Sequence, residues 1–254
     1  MSTLVAIPVY NEADHIDRVL TEVRRYNEDI LVINDGSTDG TAARLKHLSD
    51  IFVINHDQNS GYGKSLIDAF KFAIGYEYDW LITMDCDEQH EPSAIPDFLC
   101  TAMRRDADII SGSRYLDPEL KSDRPPTDRR SINQHITALL NDLLGLSLTD
   151  AFCGFKAYRV PALRRLSPTV AGYAMPLQLW IQAARSRLRI EEIPVRLIYN
   201  DPNRTFGGKL DIPEQRLRHY MDVLIHELID GAPKEMHAQT LEREHSTAEE
   251  CCRC

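Results

Sequence analysis

The stretch Trp80-Leu81-Ile82-Thr83-Met84-Asp85-Cys86-Asp87-Glu88-Gln89-His90 decides the fold. A short apolar run of strand character leads straight into two carboxylates spaced one residue apart. Side chains at i and i+2 of a strand share a face, so Asp85 and Asp87 converge at its carboxyl end. Open α/β sheets take their ligands at that edge. Two carboxylates held together without a basic neighbour repel each other and attract a cation. Hard divalent ions such as Mg²⁺ and Mn²⁺ accept oxygen ligands and bridge protein carboxylates to substrate phosphates. The pair therefore reads as a metal–diphosphate site. A lone Asp-x-Asp is equally good turn chemistry, and the rest of the chain decides between the two.

Upstream and just downstream, short β-branched or apolar runs at 4–9, 30–34, 51–54, 80–84 and 107–111 predict strands. Helical patterns at 12–26, 39–48, 63–76 and 92–104 lie between them, with Ser37 and Asp39 as caps for the second. This alternation predicts an α/β fold, a mostly parallel sheet with helices on both faces. After Ser113 the pattern changes. Residues 116–128, with Pro118, Pro125 and Pro126, form a polar loop long enough to act as a lid. A helix at 130–144, strands at 155–158 and 190–199, a helix at 176–187, a Gly-containing loop at 200–209 and a last helix at 213–229 follow. No internal repeat is present. The expected organisation is one domain over 1–230, a ligand-binding half at 1–113 and a second half at 114–230. A polar Cys/His-containing tail at 231–254 is expected to be disordered.

The 254 residues suffice for a sizeable core, and 43% hydrophobic with 27% charged residues is ordinary globular composition. A net charge of −10 argues against wholesale nucleic-acid binding, so a polyanionic ligand must be met by local cations or metal. The opening residues read as a strand rather than a secretory signal, and no apolar run is long enough to span a membrane. Cys86, Cys100 and Cys153 are scattered singly, as reduced thiols in a cytoplasmic protein are. Cys251, Cys252 and Cys254, near His237 and His245, have poor spacing for zinc.

Two tempting motifs fail. Gly61-Tyr62-Gly63-Lys64-Ser65 ends like a phosphate-binding loop, but that motif needs glycine at the position of Gln58. These glycines instead suit close backbone approach at a helix start. A haloacid-type phosphatase also carries Asp-x-Asp after an apolar strand. It would place that strand first in the chain, with Thr or Val at the position of Gln89.

Further motifs leave polar groups at the same sheet edge: Pro8-Val9-Tyr10-Asn11-Glu12 after the first strand and Asp35-Gly36-Ser37-Thr38-Asp39-Gly40-Thr41 after the second. Together with Met84-Asp85-Cys86-Asp87-Glu88-Gln89-His90, Gly112-Ser113-Arg114-Tyr115, Gly154-Phe155-Lys156, Ile193-Pro194-Val195 and the loop Arg204…Gly207-Gly208-Lys209, the ordered set resembles the family 2 glycosyltransferases. These have the GT-A, Rossmann-like fold, a mostly parallel mixed sheet flanked by helices. Within them the set is most similar to polyprenyl- or dolichyl-phosphate sugar synthases, over roughly residues 3–212. The resemblance implies that Pro8, Tyr10, Glu12 and Asp35 hold the base and ribose of a nucleotide-sugar, GDP-mannose or UDP-glucose in type. It implies that Asp85, Asp87 and Gln89 hold Mg²⁺ or Mn²⁺ on the diphosphate. Arg114, with Arg129, Arg130 and Ser131, would meet the acceptor phosphate, and Arg204 and Lys209 would close over the donor.

Three departures stand out. Asn34 replaces an acidic residue common in the second-strand motif. The Arg204 loop is one residue short and lacks its Ser. The C-terminal apolar spans of some relatives are absent, so a lipid acceptor would be met peripherally at the cytosolic face of a membrane. Either the 213–229 helix supplies an amphipathic grip there, or it simply packs on the core. The expected reaction is inverting sugar transfer with Asp87 and Arg114 in the chemistry. A phosphate acceptor is already anionic and needs only cations to position it. A hydroxyl acceptor needs a base, for which Asp150 is the candidate. A sugar-1-phosphate nucleotidyltransferase and a catalytically idle nucleotide-sugar binder are the competing classes.

Overall fold

The computed structural model describes residues 1–104, 106–120, 123–199, 205 and 207–230. Its single seven-stranded sheet has the order β3-β2-β1-β4-β6-β5-β7. The strands are β1 (Thr3–Val9), β2 (Ile30–Asn34), β3 (Phe52–Asn55), β4 (Trp80–Thr83), β5 (Ile109–Ser113), β6 (Lys156–Arg159) and β7 (Ile190–Pro194). All neighbours pair in parallel except β6, which runs antiparallel between β4 and β5. The sheet is therefore mixed and mostly parallel, as the resemblance implies.

Alternation along each strand builds two cores. Leu4, Ala6, Leu31, Ile33 and Leu81 face one side. There they meet α3 (Tyr62–Gly75), α5 (Thr127–Leu144), α6 (Val160–Leu163), α7 (Met175–Arg185) and α8 (Pro213–Asp230). Val5, Ile7, Ile30, Val32 and Ile82 face the other, under α1 (Ile16–Val23), α2 (Thr41–Leu45) and α4 (Ile95–Met103). The carboxyl ends of β1 and β4 lie side by side, with Ala6 opposite Thr83. The polar ends of both strands therefore open on one crevice.

Several boundaries differ from the sequence reading. The helix expected at 12–26 begins only at Ile16. Side chains after β2 claim the preceding amides: Asn11 donates to Ser37 Oγ (2.9 Å), Glu12 to Thr41 Oγ1 (3.0 Å) and Ala13 to Asp39 Oδ2 (3.1 Å). Ser37 thus serves the first loop rather than capping α2, whose N-cap is Gly40, while Asp39 accepts from the Thr41 amide. The strand expected at 190–199 ends at Pro194, which has no N–H to offer a neighbour. Beyond it the chain pairs with the loop before α5 through Asp123 N–H to Leu197 O (2.8 Å) and Tyr199 N–H to Asp123 Oδ2 (2.8 Å). Helix α5 starts at Thr127, directly after Pro126, so Thr127 and Asp128 belong to it rather than to a lid. The four-residue helix α6 carries no sequence signal of its own.

Glycines 61 and 63 do permit close approach, to the chain's own segment at 170–172. A methyl at Gly63 would lie 2.3 Å from Val170 O and 2.7 Å from Met175 Cβ. Lys64 N–H donates to Ala171 O (2.9 Å), which seals the same contact. Helix α8 buries Arg216, Tyr220, Leu224 and Glu227 and leaves Leu217, Ile225 and Ile229 exposed. Its inner face is tied to α7, where Gln178 and Gln182 donate to the Glu227 carboxylate (2.6 and 3.0 Å). Among the described residues no helix is long and apolar enough to cross a membrane.

Gly63→Ala should destabilise the protein by about 1–3 kcal/mol through overpacking against the 170–175 backbone. A thermal melt would show a fall of roughly 2–8 °C, and an unchanged melt would mean that the 170–172 segment yields freely.

Candidate functional site

The crevice at the sheet edge is a cleft of about 690 Å³. Pro8, Tyr10 and Glu12 from the end of β1, Asp35 from β2, and Asp85, Asp87 and Gln89 from β4 all line it. Arg114 after β5 and Arg129 of α5 line it from the other side. Arg130, Ser131, Asp150 and Lys209 do not line it, and Arg204 lies outside the described residues.

The turn after β4 is tightly organised. His90, buried, accepts the Asp85 amide on Nδ1 (3.0 Å) and packs against Phe155 (5.2 Å between ring centroids). Burial lowers the His90 pKa to about 4, so the ring is neutral and available as that acceptor. The Gln89 amide donates to Asp87 Oδ1 (3.1 Å). Tyr62, at the start of α3, donates its hydroxyl to Asp85 Oδ1 (3.0 Å) and stacks on Tyr173 (5.7 Å). Burial first, then the Asp85 charge, raises the Tyr62 pKa well above its ordinary value, so the phenol stays a donor.

Gly154 closes in from β6's approach. A Cβ there would sit 2.7 Å from both Asp85 Oδ2 and Tyr62 Oη. The donor set is hard oxygen: two carboxylates and one amide carbonyl. Among the described residues no cluster of three or more His, Cys, Asp or Glu stands at metal-binding spacing. An ion at Asp85 and Asp87 would therefore complete its shell with diphosphate and water, as Mg²⁺ commonly does, and the residues fit such an ion.

Asp35 and Asn34 have structural partners. Asp35 accepts the amides of Ser60 (2.8 Å) and Gly61 (2.8 Å), and its Oδ1 is 2.6 Å from His56 Nδ1. Its carboxylate thus shapes the 60–61 turn that leads into α3. Asn34 donates to Asn55 Oδ1 (2.9 Å) and accepts from the Ser37 amide (3.2 Å). An aspartate could not make that donation, which accounts for the amide at this position.

Arg114 grips Asp150 through two parallel bonds, Nε to Oδ2 (2.6 Å) and Nη2 to Oδ1 (2.9 Å). Asp150 is fully buried and also accepts from Asn133 Nδ2 (2.9 Å). Burial alone would raise the Asp150 pKa, but the Arg114 charge and hydrogen bonds outweigh it and hold the carboxyl well below the usual range. The same pairing outweighs burial at Arg114 and raises its pKa. Arg130 lies flat over Tyr115, 3.4 Å from the ring centroid, and Arg129 faces Tyr199 at 5.7 Å.

The sequence reading missed Arg216, Tyr62, Tyr173, Asn133 and Tyr220, all in the cleft wall. Arg216 had a signal: it sits four residues before Tyr220 and eight before Leu224, on the apolar face of a helix where an unpaired arginine has no place. It donates to Asp128 Oδ2 (2.5 Å) and Leu210 O (3.0 Å).

Comparison with known proteins gives a consistent outcome. Residues 4–167 match the family model described as glycosyl transferase family 2. An undecaprenyl-phosphate mannosyltransferase of Micrococcus luteus is 31% identical over 207 residues, 78% of this chain and 84% of that protein. A UDP-N-acetylglucosamine–dolichyl-phosphate N-acetylglucosaminyltransferase of Methanococcus voltae is 28% identical over 225 residues, 81% of this chain and 89% of that one. Among solved structures, glucosyl-3-phosphoglycerate synthase from Mycobacterium tuberculosis, in complex with Mn²⁺, UDP and glucosyl-3-phosphoglycerate, superposes with a TM-score of 0.67. It shares 20% identity, over 92% of this chain and 81% of that one, and so bears on the fold alone.

Gly154→Ala should push the Asp85 carboxylate out of place while leaving the fold intact. Calorimetric titration with Mn²⁺ in the presence of nucleoside diphosphate should show affinity weakened on the order of tenfold, as for a disturbed ligand shell. Wild-type affinity would mean that Asp85 is not a ligand.

Proposed function

The chain belongs to glycosyl transferase family 2, and from that premise we propose that it transfers a sugar from a nucleoside-diphosphate sugar to a polyprenyl phosphate, with a divalent cation on the donor. The observation that carries this reading is the two-ended character of the cleft. Asp85, Asp87 and Glu12 make one end acidic, which calls for a cation before a diphosphate can enter. Arg114, Arg129 and Arg216 mark the other end, beside an apolar wall of Ile132, Phe152, Pro176, Leu197 and Tyr220. Arg114 is already countered by Asp150 and Arg216 by Asp128. Guanidinium groups suit a phosphate, and the apolar wall suits a hydrocarbon tail better than a small sugar or acid. The two relatives, named for undecaprenyl phosphate and dolichyl phosphate, support the same acceptor class.

On this reading Pro8, Tyr10, Glu12 and Asp35 hold the nucleoside and Asp85, Asp87 and Gln89 hold Mg²⁺ or Mn²⁺. When bound, the ion offsets charge on the departing nucleoside diphosphate. The acceptor phosphate is the nucleophile and is ionised at neutral pH, so no residue has to remove a proton. Arg114, fixed by Asp150, and Arg129 orient it toward the anomeric carbon for inverting displacement. Arg130 and Ser131 sit one layer behind, with Arg130 packed over Tyr115. Lys209 and Arg204 would close the donor side. The alternative with a hydroxyl acceptor would need Asp150 as base. A carboxylate that is buried, doubly bonded to Arg114 and low in pKa is badly suited to take a proton.

The test is transfer from GDP-mannose, UDP-glucose and UDP-N-acetylglucosamine to undecaprenyl or dolichyl phosphate in detergent. One donor should yield a lipid-linked sugar, EDTA should abolish the product, and added Mn²⁺ or Mg²⁺ should restore it. Product unaffected by EDTA would refute metal dependence, and transfer only to a hydroxyl acceptor would refute the phosphate reading. Asp87→Ala should lose activity by a factor of roughly 10² or more, the scale of a lost electrostatic group in the transition state. Arg129→Ala should raise the KM for lipid phosphate on the order of tenfold with donor affinity unchanged, as expected for one charge-assisted hydrogen bond. Equal loss of nucleotide binding would move Arg129 to the donor site.

A further inference from the structure

Glu88 lies between the two candidate ligands Asp87 and Gln89, yet its side chain leaves the cleft. Its backbone is left-handed, with φ of +60°. For a residue other than glycine that conformation is unfavourable, and Gly or Asn would adopt it more readily. A glutamate at this position therefore calls for a compensating contact. It has one: its carboxylate is ion-paired with Arg18 Nε of α1, and the imidazole of His15 lies 3.7 Å from the same oxygen. On the far side of the turn, Glu91 pairs with Arg196 Nη1 at 2.7 Å. Between these two anchors the Asp85 amide donates to His90 and the Gln89 amide to Asp87, and Tyr62 of α3 donates to the Asp85 carboxylate.

We propose that Glu88 and Arg18 form a clamp that holds the strained turn in the shape that lets Asp85, Asp87 and Gln89 meet a divalent cation, which makes both of them positioning residues. The proposal rests on the metal reading given above. The clamp also reaches the donor side, because His15, the N-cap of α1, lines the cleft. The Arg18 side chain is 65% exposed, so the ion pair adds little to global stability. Its effect is local, on the left-handed residue between two ligands.

The experiment is Mn²⁺ titration at saturating nucleoside diphosphate on the wild type, Asp87→Ala, Arg18→Gln, Glu88→Gln and the double variant. Hydrogen exchange of the 84–91 segment is followed on the same proteins without metal. Each single clamp variant should bind Mn²⁺ about three- to tenfold more weakly, the range set by one local ion pair opposing backbone strain. The double variant should be no weaker than Glu88→Gln, because the two side chains act as one unit. Arg18→Lys should recover most of the affinity. Exchange of the 84–91 amides should rise in Arg18→Gln while its melting temperature stays close to wild type.

Unchanged Mn²⁺ affinity in the single variants, or multiplicative losses in the double, would overturn the clamp whatever the exchange rates do. Binding by the wild type that survives Asp87→Ala, or no binding by the wild type, would overturn the metal reading itself and the clamp with it.

Discussion

A carboxylate with no access to water has to be neutralised where it stands, and Asp150 is such a group. Removing one partner of a buried ion pair leaves a charge uncompensated and costs about 3–5 kcal/mol. The part of the molecule after β5 is arranged so that this does not happen. Arg114, at the end of β5, supplies two of the bonds; Asn133 of α5 supplies another, with Thr137 bonded to Asn133 in turn (2.9 Å). Glu192 of β7 accepts the amides of Thr149 (2.8 Å) and Asp150 (3.1 Å). Two strands, one helix and the loop before β6 are thereby tied to a single charge pair. The guanidinium that faces the cleft inherits their rigidity.

The same loop continues into the floor of the opposite end. Three residues after Asp150 come Cys153, Gly154, Phe155 and Lys156, all pressed under the carboxylates of the β4 turn. Thr83 Oγ1 donates to Gly154 O (2.9 Å), which draws β6's approach against β4. Lys156 is buried, donates to Cys153 O and faces the Trp180 ring at 5.3 Å, and burial lowers its pKa. Burial likewise pushes the Cys153 thiol up to about 11, which leaves it a neutral packing group rather than a nucleophile. The acidic groups after β4 and the guanidinium of Arg114 thus both rest on one short segment, 150–156.

Much of this arrangement was legible in the chain, and the exceptions have physical reasons. Strands β1, β2 and β4 are apolar runs between helical patterns, and they place Pro8 to Glu12, Asp35, and Asp85 to Gln89 on one edge, as read. The antiparallel β6 made the sheet mixed, yet strand direction leaves no mark on a four-residue run. Asp150 read as the base candidate for a hydroxyl acceptor. Only its neighbours Arg114 and Asn133, 36 and 17 residues away, make it an ion-pair partner. The start of α1 slipped because Ser37, Asp39 and Thr41 take amides that would otherwise have opened the helix. Arg216 and Tyr220 entered the cleft from a helix remote in sequence, and nothing local announces which wall a helix will form.

By itself the sequence determined the period of each element, the order of the motifs and the chemical types available: paired acids after a strand, arginines after the fifth strand, and glycines where backbones meet. These follow from residue-level physics, since side-chain alternation, turn preference and ionisation are local properties. Which groups are exposed to substrate and which are consumed in holding the site was decided only by the tertiary structure. Asp35 and Asp150 are both carboxylates, but one lines the cleft while shaping a turn and the other lies behind it, anchoring an arginine. Burial and partner distance set those roles, and both are properties of the folded assembly of distant segments.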